Sequence, residues 1–351
     1  MEHLVRECFK GGGYVFATGA AAIARASGHE RIAWLASNEN PYPPPAAAIE
    51  AGEAALRSVN RYPDEGVERL TAALRACFGP YHFVTGVGMD GIIETVIRVL
   101  VDPGDTVAVS VPTFSFYGLA ARAQGGKIVN IQRDGKFAVD PDRFIDEARG
   151  AKVAFICTPN NPTGNAVAPG DVDEIADGID GILFLDNAYV EFSDYEYQEL
   201  LTRHENLIIG RTFSKIYALA GLRVGYAFVP GWFAPYYRRA QTPFALSTVA
   251  AAAAEGALSD RAYPRAFREH VLAWRERFIR EIPLVTYPSD ANFVLVDVAP
   301  RTGEEAIEML AKRGVVVRSC TSFPGLGNHY IRVSIGQEWE NERFLQEIRK
   351  L

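Results

Sequence analysis

Seven short apolar runs separated by helical stretches limit the fold of this chain more than any other feature. They lie at residues 82–85, 106–110, 127–131, 153–157, 182–185, 207–210 and 224–229. Most are unbroken rather than alternating, the pattern of strands covered on both faces of a mostly parallel sheet. Helical stretches between them imply strand–helix–strand crossovers. The expectation is an α/β fold: one large domain over residues 45–240, with a mostly parallel seven-stranded sheet flanked by helices.

The 351 residues exceed what one ordinary core organises, so a second domain is expected. Beyond residue 240 the pattern changes to long helices (247–258, alanine-rich, and 261–280), then to strands (292–298, 315–318, 330–334) mixed with helices (303–313, 338–350). This reads as a smaller α+β domain, residues 241–351. Residues 1–44 read as an N-terminal arm that completes it. Four prolines in Pro41-Tyr-Pro-Pro-Pro45 force an extended link from arm to body. The apolar stretch from Tyr14 to Ala24 is interrupted by Thr18 and Gly19, closed by Arg25 and preceded by Glu2 and Glu7. It reads as a short amphipathic helix packed on the body rather than a secretory leader.

Charge and cysteine usage exclude several function classes. Net charge is −7 and no Lys/Arg cluster occurs, which argues against a nucleic-acid partner. No apolar run approaches the ~20 residues of a membrane span. Cys8, Cys77, Cys157 and Cys320 are scattered, without metal-ligand spacing, so no metal site is expected and a reducing, cytoplasmic setting is.

The chemistry concentrates around Lys215. An ammonium at the exit of a buried strand loses hydration unless something compensates, and a lysine bonded to an aldehyde no longer has to be solvated as a free cation. Thr212 and Ser214 bracket it with hydroxyls, and Arg223 returns a guanidinium; hydroxyls plus arginine suit a phosphate dianion. Asp186 ends the apolar run 182–185, where ligands gather in open α/β sheets. It could pair with a pyridine N–H and keep the ring protonated. These are the parts needed to hold pyridoxal 5′-phosphate. Gly86-Val-Gly-Met-Asp-Gly91 follows a strand and opens a helix, so the backbone N–H groups of Gly88, Met89 and Asp90 offer an anion site. Phe114 could stack on a planar ring, Tyr189 and Asn161 could donate to its oxygen, and Arg332, an arginine in a strand, calls for an anion.

Taken in order, Asn38-Glu-Asn-Pro-Tyr42, Asn60-Arg-Tyr-Pro63, Asn160-Asn-Pro-Thr-Gly164, Asp186-Asn-Ala-Tyr189, Thr212-Phe-Ser-Lys215, Ala220-Gly-Leu-Arg-Val-Gly225 and Ile331-Arg-Val-Ser-Ile-Gly336 make the sequence similar to histidinol-phosphate aminotransferases. These belong to the fold-type-I pyridoxal-phosphate enzymes, the aspartate aminotransferase superfamily. The resemblance runs from about Ile32 to the C-terminus. It implies a ping-pong transamination between histidinol phosphate and 2-oxoglutarate, as in histidine biosynthesis. Lys215 would bond the cofactor aldehyde and then act as general base. Asp186 would meet the pyridine nitrogen, Tyr189 and Asn161 the ring oxygen, and Phe114 the ring face, where many relatives have tyrosine. Met89, Asp90, Thr212, Ser214 and Arg223 would hold the phosphate. Tyr62 would reach the cofactor of the partner subunit, implying a homodimer with shared active sites. Arg332 would bind the donor's α-carboxylate and the phosphate of histidinol phosphate in alternate half-reactions, helped by Arg318, with Tyr42 and Glu39 lining the substrate pocket.

Two features depart from the pattern. Asn187 replaces the usual glutamate of Asp-Glu-Ala-Tyr. The arm, with Gly11-Gly-Gly13 and the alanine-rich helix after it, is also similar to threonine-phosphate decarboxylases, although those lack the Asn-Glu-Asn-Pro-Tyr signature. A broad aromatic aminotransferase would use the same cofactor residues. A non-catalytic cofactor sensor would need a basic DNA-binding module, for which the roughly 35 residues before the body are too few.

Overall fold

A computed structural model describes residues 1–351 except Tyr14, Phe16, Glu65 and Gly66. Tyr14, where the apolar N-terminal stretch begins, therefore lies outside the described residues; the helix expected there spans Thr18–Ala26 (α1).

After α1 come β1 (Ala33–Trp34), α2 (Ala46–Ala55), α3 (Glu68–Phe78), β2 (His82–Val87), α4 (Gly88–Leu100), β3 (Thr106–Val111), α5 (Phe116–Gln124) and β4 (Lys127–Gln132). These lead into α6 (Pro141–Glu147), β5 (Val153–Cys157), α7 (Pro169–Gly178), β6 (Ile182–Asp186), β7 (Leu207–Thr212), β8 (Val224–Val229) and α8 (Ala234–Ala240). The remainder is α9 (Thr248–Ser259), α10 (Ala262–Glu281), β9 (Phe293–Asp297), α11 (Gly303–Ala311), β10 (Val315–Val316), β11 (Arg318–Ser319), β12 (Tyr330–Ser334) and α12 (Glu338–Ile348).

All seven apolar runs are strands of one sheet, in the order β2-β8-β7-β6-β5-β3-β4. Neighbours from β7 through β4 pair in parallel, while β8 runs antiparallel to both β2 and β7. Successive residues of each strand feed different cores. Val107, Val109, Phe155 and Phe184 face one side with α4 and α5; Ala108, Ala154, Ile156, Leu183 and Leu185 face the other. Both faces are covered, which is why the strands read as continuous apolar runs. The winding reverses between β3 and β5, and a crevice at the carboxyl ends of the strands around such a reversal is where open α/β sheets bind ligands.

The C-terminal part contains the antiparallel sheet β11-β12-β9. The N-terminal segment joins it: β1 pairs in parallel with β10, Ala33 opposite Val315, and α1 packs Ala20 and Ala24 against Ala311 and Val316.

The alanine-rich helix corrects one expectation. Sequence placed it in the small domain, yet Ala250, Ala253, Ala254 and Ala257 of α9 pack in the core of the large sheet. Its partner is α2, approached so closely that a Cβ on Gly256 would lie 2.3 Å from the Ala47 carbonyl oxygen. Gly52 and Gly256 and the alanines around them permit this separation, and small side chains gain burial mainly by such a close approach.

Candidate active site

The carboxyl ends of β5, β6 and β7 converge on a cavity of about 390 Å³, closed on the other side by residues 36–39 and by β11 and β12. Thirteen of the residues singled out from sequence either line it or build its wall, and they arrive from segments far apart in the chain.

One end is an anion cradle. Helix α4 begins without a side-chain cap. The Gly88 N–H, expected to face an anion, instead donates to the Arg223 carbonyl at 2.9 Å, so the N–H groups of Met89 and Asp90 are the ones left for a ligand, and both residues line the cavity. Gly88 lies just behind. Its φ is +68°, and a Cβ at this position would sit 2.5 Å from Arg223 Nη2, so only glycine lets the guanidinium close over the helix start. Arg223 itself takes a left-handed backbone, φ +54°, and donates from Nη2 to Asp90 Oδ2 at 2.9 Å. The Asp90 carboxylate therefore holds Arg223, and its own backbone N–H is what it offers an anion. Thr212 Oγ1 accepts the Ser214 N–H at 3.1 Å and lies 3.0 Å from Ser214 Oγ. This fixes both hydroxyls beside Lys215 at the end of β7.

The middle of the cavity suits a flat, nitrogen-containing ring. Asp186 is buried at the end of β6. Its Oδ2 accepts from the Tyr117 hydroxyl at 2.6 Å and its Oδ1 from the Ala188 N–H at 3.0 Å. Burial pushes its carboxyl up to about 6 although both hydrogen bonds oppose the rise; an N–H⁺ brought to it would offset that cost. Phe114 lines the cavity, with its ring 5.6 Å from Tyr117 in a T-shaped arrangement. Lys215 Nζ donates to the Ser37 carbonyl at 3.2 Å and lies 5.6 Å from the Tyr189 ring centre. Loss of hydration, followed by the Arg332 guanidinium, brings its pKa down from 10.5 to about 8. A lysine with a depressed pKa facing a cavity is suited to act as a nucleophile and base.

The far end is cationic. Arg318 and Arg332 stand opposite one another on β11 and β12, both buried. Arg332 donates to the Asn161 side-chain oxygen and to the Ala36 carbonyl, while its buried Nε has no partner. Because Arg332 takes the oxygen of Asn161, the Asn161 NH₂ is left to the cavity. The charges lining the space are Lys215, Arg223, Arg318 and Arg332 against Glu39, Asp90 and Asp186, a balance that favours an anionic guest.

Two expected residues stand apart. Tyr42 does not line the cavity: its ring packs edge-on against His270 at 5.5 Å and Phe267 at 6.2 Å. Tyr62 is 80% exposed and stacks on Phe244, outside its own chain's site. Sequence reading missed Tyr117 and Asn38. The first carries no local signal, because its role comes from a hydrogen bond to Asp186, 69 positions away. The second sat unremarked inside a quoted motif.

An uncapped helix start, a glycine position that a Cβ would fill, a buried carboxylate and a lysine of lowered pKa together fit a phosphorylated pyridine aldehyde. Comparison with known proteins agrees. The aminotransferase class I and II family matches residues 30–348. A histidinol-phosphate aminotransferase of Methanoculleus marisnigri is 61% identical over 352 residues, covering all of both chains, and one of Methanocorpusculum labreanum is 54% identical over the same span. In fold, the chain is similar to the histidinol-phosphate aminotransferase of Sinorhizobium meliloti solved with pyridoxal 5′-phosphate, with a TM-score of 0.87 at 24% identity, covering 99% of this chain and 98% of that one. The chain belongs to the class I and II aminotransferases and, within them, to the histidinol-phosphate aminotransferase family.

Proposed function

We propose that this aminotransferase binds pyridoxal 5′-phosphate through Lys215 and moves the amino group between histidinol phosphate and 2-oxoglutarate, as a homodimer with shared sites. The observation that carries the reading is the distribution of charge along one cavity: an anion cradle, a buried acid with a lysine of lowered pKa, and a buried guanidinium pair.

Pyridoxal phosphate, when bound, supplies an electron sink for the charge left at the substrate's α-carbon. The protein's own groups do the rest. Met89 and Asp90 present backbone N–H groups, and Thr212, Ser214 and Arg223 their side chains, to the phosphate, while the Gly88 N–H stays on the Arg223 carbonyl. Asp186 accepts from the ring N–H, held ionised by Tyr117 and the Ala188 N–H. Phe114 covers the ring, and Tyr189 and Asn161 donate towards its oxygen. Lys215 Nζ would hold the cofactor's aldehyde carbon and, once freed by the donor's amine, would serve as the base for the proton on the substrate's α-carbon, a task suited to an amine of pKa about 8. Arg332, with Arg318, holds the anionic end: phosphate in one half-reaction, carboxylate in the other. Glu39 lines the same end. Tyr62 is exposed beside Phe244, where it can serve a partner's site.

The test is spectroscopic. Purified protein is mixed with pyridoxal phosphate and offered glutamate, histidinol phosphate, aromatic amino acids or threonine phosphate. Glutamate and histidinol phosphate are expected to shift the visible band to that of the amine form. Release of carbon dioxide from threonine phosphate without an oxo-acid acceptor would replace the reading with decarboxylation. The Lys215→Ala variant is expected to lose the band of the bound cofactor and nearly all turnover; retention of both would overturn the role of Lys215.

A further inference from the structure

Asn38 holds an unusual position. It is almost fully buried, 1% exposed, lines the cavity and adopts a left-handed backbone, φ +53°. A non-glycine residue in this region costs free energy and persists where its surroundings fix it. The surroundings here are polar and complete. The Asn38 N–H donates to Ser334 Oγ at 2.8 Å, Ser334 Oγ lies 2.9 Å from Asn38 Oδ1, and the Asn38 carbonyl accepts from Asn292 Nδ2 at 3.1 Å. The remaining side-chain atom, Nδ2, lies 3.1 Å from the Tyr189 hydroxyl.

Ser334 Oγ accepts from the Asn38 N–H and donates its one proton to Asn38 Oδ1. With Oδ1 so engaged, Nδ2 is the side of the amide that faces Tyr189, as a donor. The Tyr189 oxygen is thereby an acceptor on this side, and its own proton is turned away from Asn38, into the cavity. Other charged or titratable groups around Tyr189 are Arg332 from β12, Cys157 from β5, Asp186 from β6 and Lys215 beyond β7. None of them duplicates this contact.

We infer that Asn38 is a positioning residue that aims the Tyr189 proton at the ring oxygen of the bound cofactor, with Ser334 of the small-domain sheet setting its amide. This rests on the cofactor reading above. It adds a dependence: Tyr189 is an effective donor only while residues 36–38 stay docked on β12, because the group that orients it is anchored there. Neighbouring contacts share that anchor, since Ala36 accepts from Arg332 and Ser37 from Lys215.

The experiment is an absorbance titration of the holoenzyme's visible band against pH, for the wild type, Asn38→Gly, Ser334→Ala, Tyr189→Phe and Asn38→Gly combined with Tyr189→Phe. Glycine keeps the left-handed backbone accessible. A hydrogen bond donated to the ring oxygen lowers the proton affinity of the adjoining imine nitrogen, so its loss raises the midpoint. Tyr189→Phe and Asn38→Gly are each expected to raise it by about one pH unit, the worth of one net hydrogen bond, and Ser334→Ala to shift it the same way. In the Tyr189→Phe background, Asn38→Gly is expected to add nothing. An unchanged midpoint in both Asn38→Gly and Ser334→Ala, with Tyr189→Phe shifted, overturns the role of Asn38 alone. A shift from Asn38→Gly that persists without the tyrosine hydroxyl also overturns it. A wild type with no titrating visible band removes the cofactor reading and this inference together.

Discussion

Lys215 illustrates how a residue acquires its chemistry from position. Its amine is brought from 10.5 to about 8 first by lost hydration and then by Arg332. The neutral amine, the form that attacks an aldehyde, therefore predominates above about pH 8 instead of above 10.5. Capture of pyridoxal phosphate by the apoprotein is expected to accelerate as pH rises through about 8 and to level off beyond it. Stopped-flow absorbance measures this, and a rate still climbing at pH 10 would mean an unperturbed lysine. Arg332 carries the complementary argument at the substrate end. Buried, with Nε unpartnered, it is costly without a guest, and its removal should cost both guests. Arg332→Ala is expected to lower kcat/KM by roughly a hundredfold for histidinol phosphate and for the oxo acid alike, the loss of one charge-assisted contact. An effect confined to one substrate would refute a shared anion site. At this scale the sequence was legible where chemistry demands a residue type at a fixed offset, as for Lys215 after Thr212 and Ser214. It was silent on Tyr117, whose value lies in a hydrogen bond across 69 positions, and on Asn38, whose role depends on a hydroxyl 296 positions away.

Among elements, the contact between β8 and the start of α4 sets the cradle. A Cβ on Gly225 would lie 2.6 Å from the backbone of Gly88, so strand and helix meet without side chains between them. Gly225→Ala must push the helix start away from Arg223, costing about 1–3 kcal/mol as overpacking does. Thermal unfolding of the apoprotein should show a lowered Tm, and calorimetric titration a weaker affinity for pyridoxal phosphate; a variant unchanged in both would show that the contact has slack. The strands themselves were legible because burial on both faces writes an unbroken apolar run. Their direction was not. The run 224–229 looks like its neighbours, and only its pairing reveals that β8 is antiparallel. The position of α9 was hidden for a related reason: alanine is compatible with any helix environment, and only the facing surface of α2 decides where it packs.

For the whole molecule, the proposed homodimer with an exposed Tyr62 reaching the partner's site leads to a complementation test. Tyr62→Ala and Lys215→Ala proteins are each expected to be nearly inactive. Mixed in equal amounts and allowed to exchange subunits, they should recover about a quarter of wild-type activity, because half the dimers are mixed and each of those has one intact site. No recovery after demonstrated exchange would show that Tyr62 serves its own chain or none. The change of pattern near residue 240 marked where the strands of the large sheet end but not where α9 packs, and the docking of the arm left almost no trace, since β1 is only two residues long.

That short strand has a consequence for how the protein is made. Ala33 pairs with Val315, so the first wall of the site waits for nearly the last part of the chain. A nascent polypeptide that already displays Lys215, Asp186 and the cradle still lacks Arg318, Arg332 and the anchor for Asn38. Contacts of such sequence separation form late. The residues proposed to hold the cofactor's phosphate and ring thus all precede β8, whereas Arg318 and Arg332, proposed to hold the substrate's anionic end, belong to a sheet that the chain reaches much later.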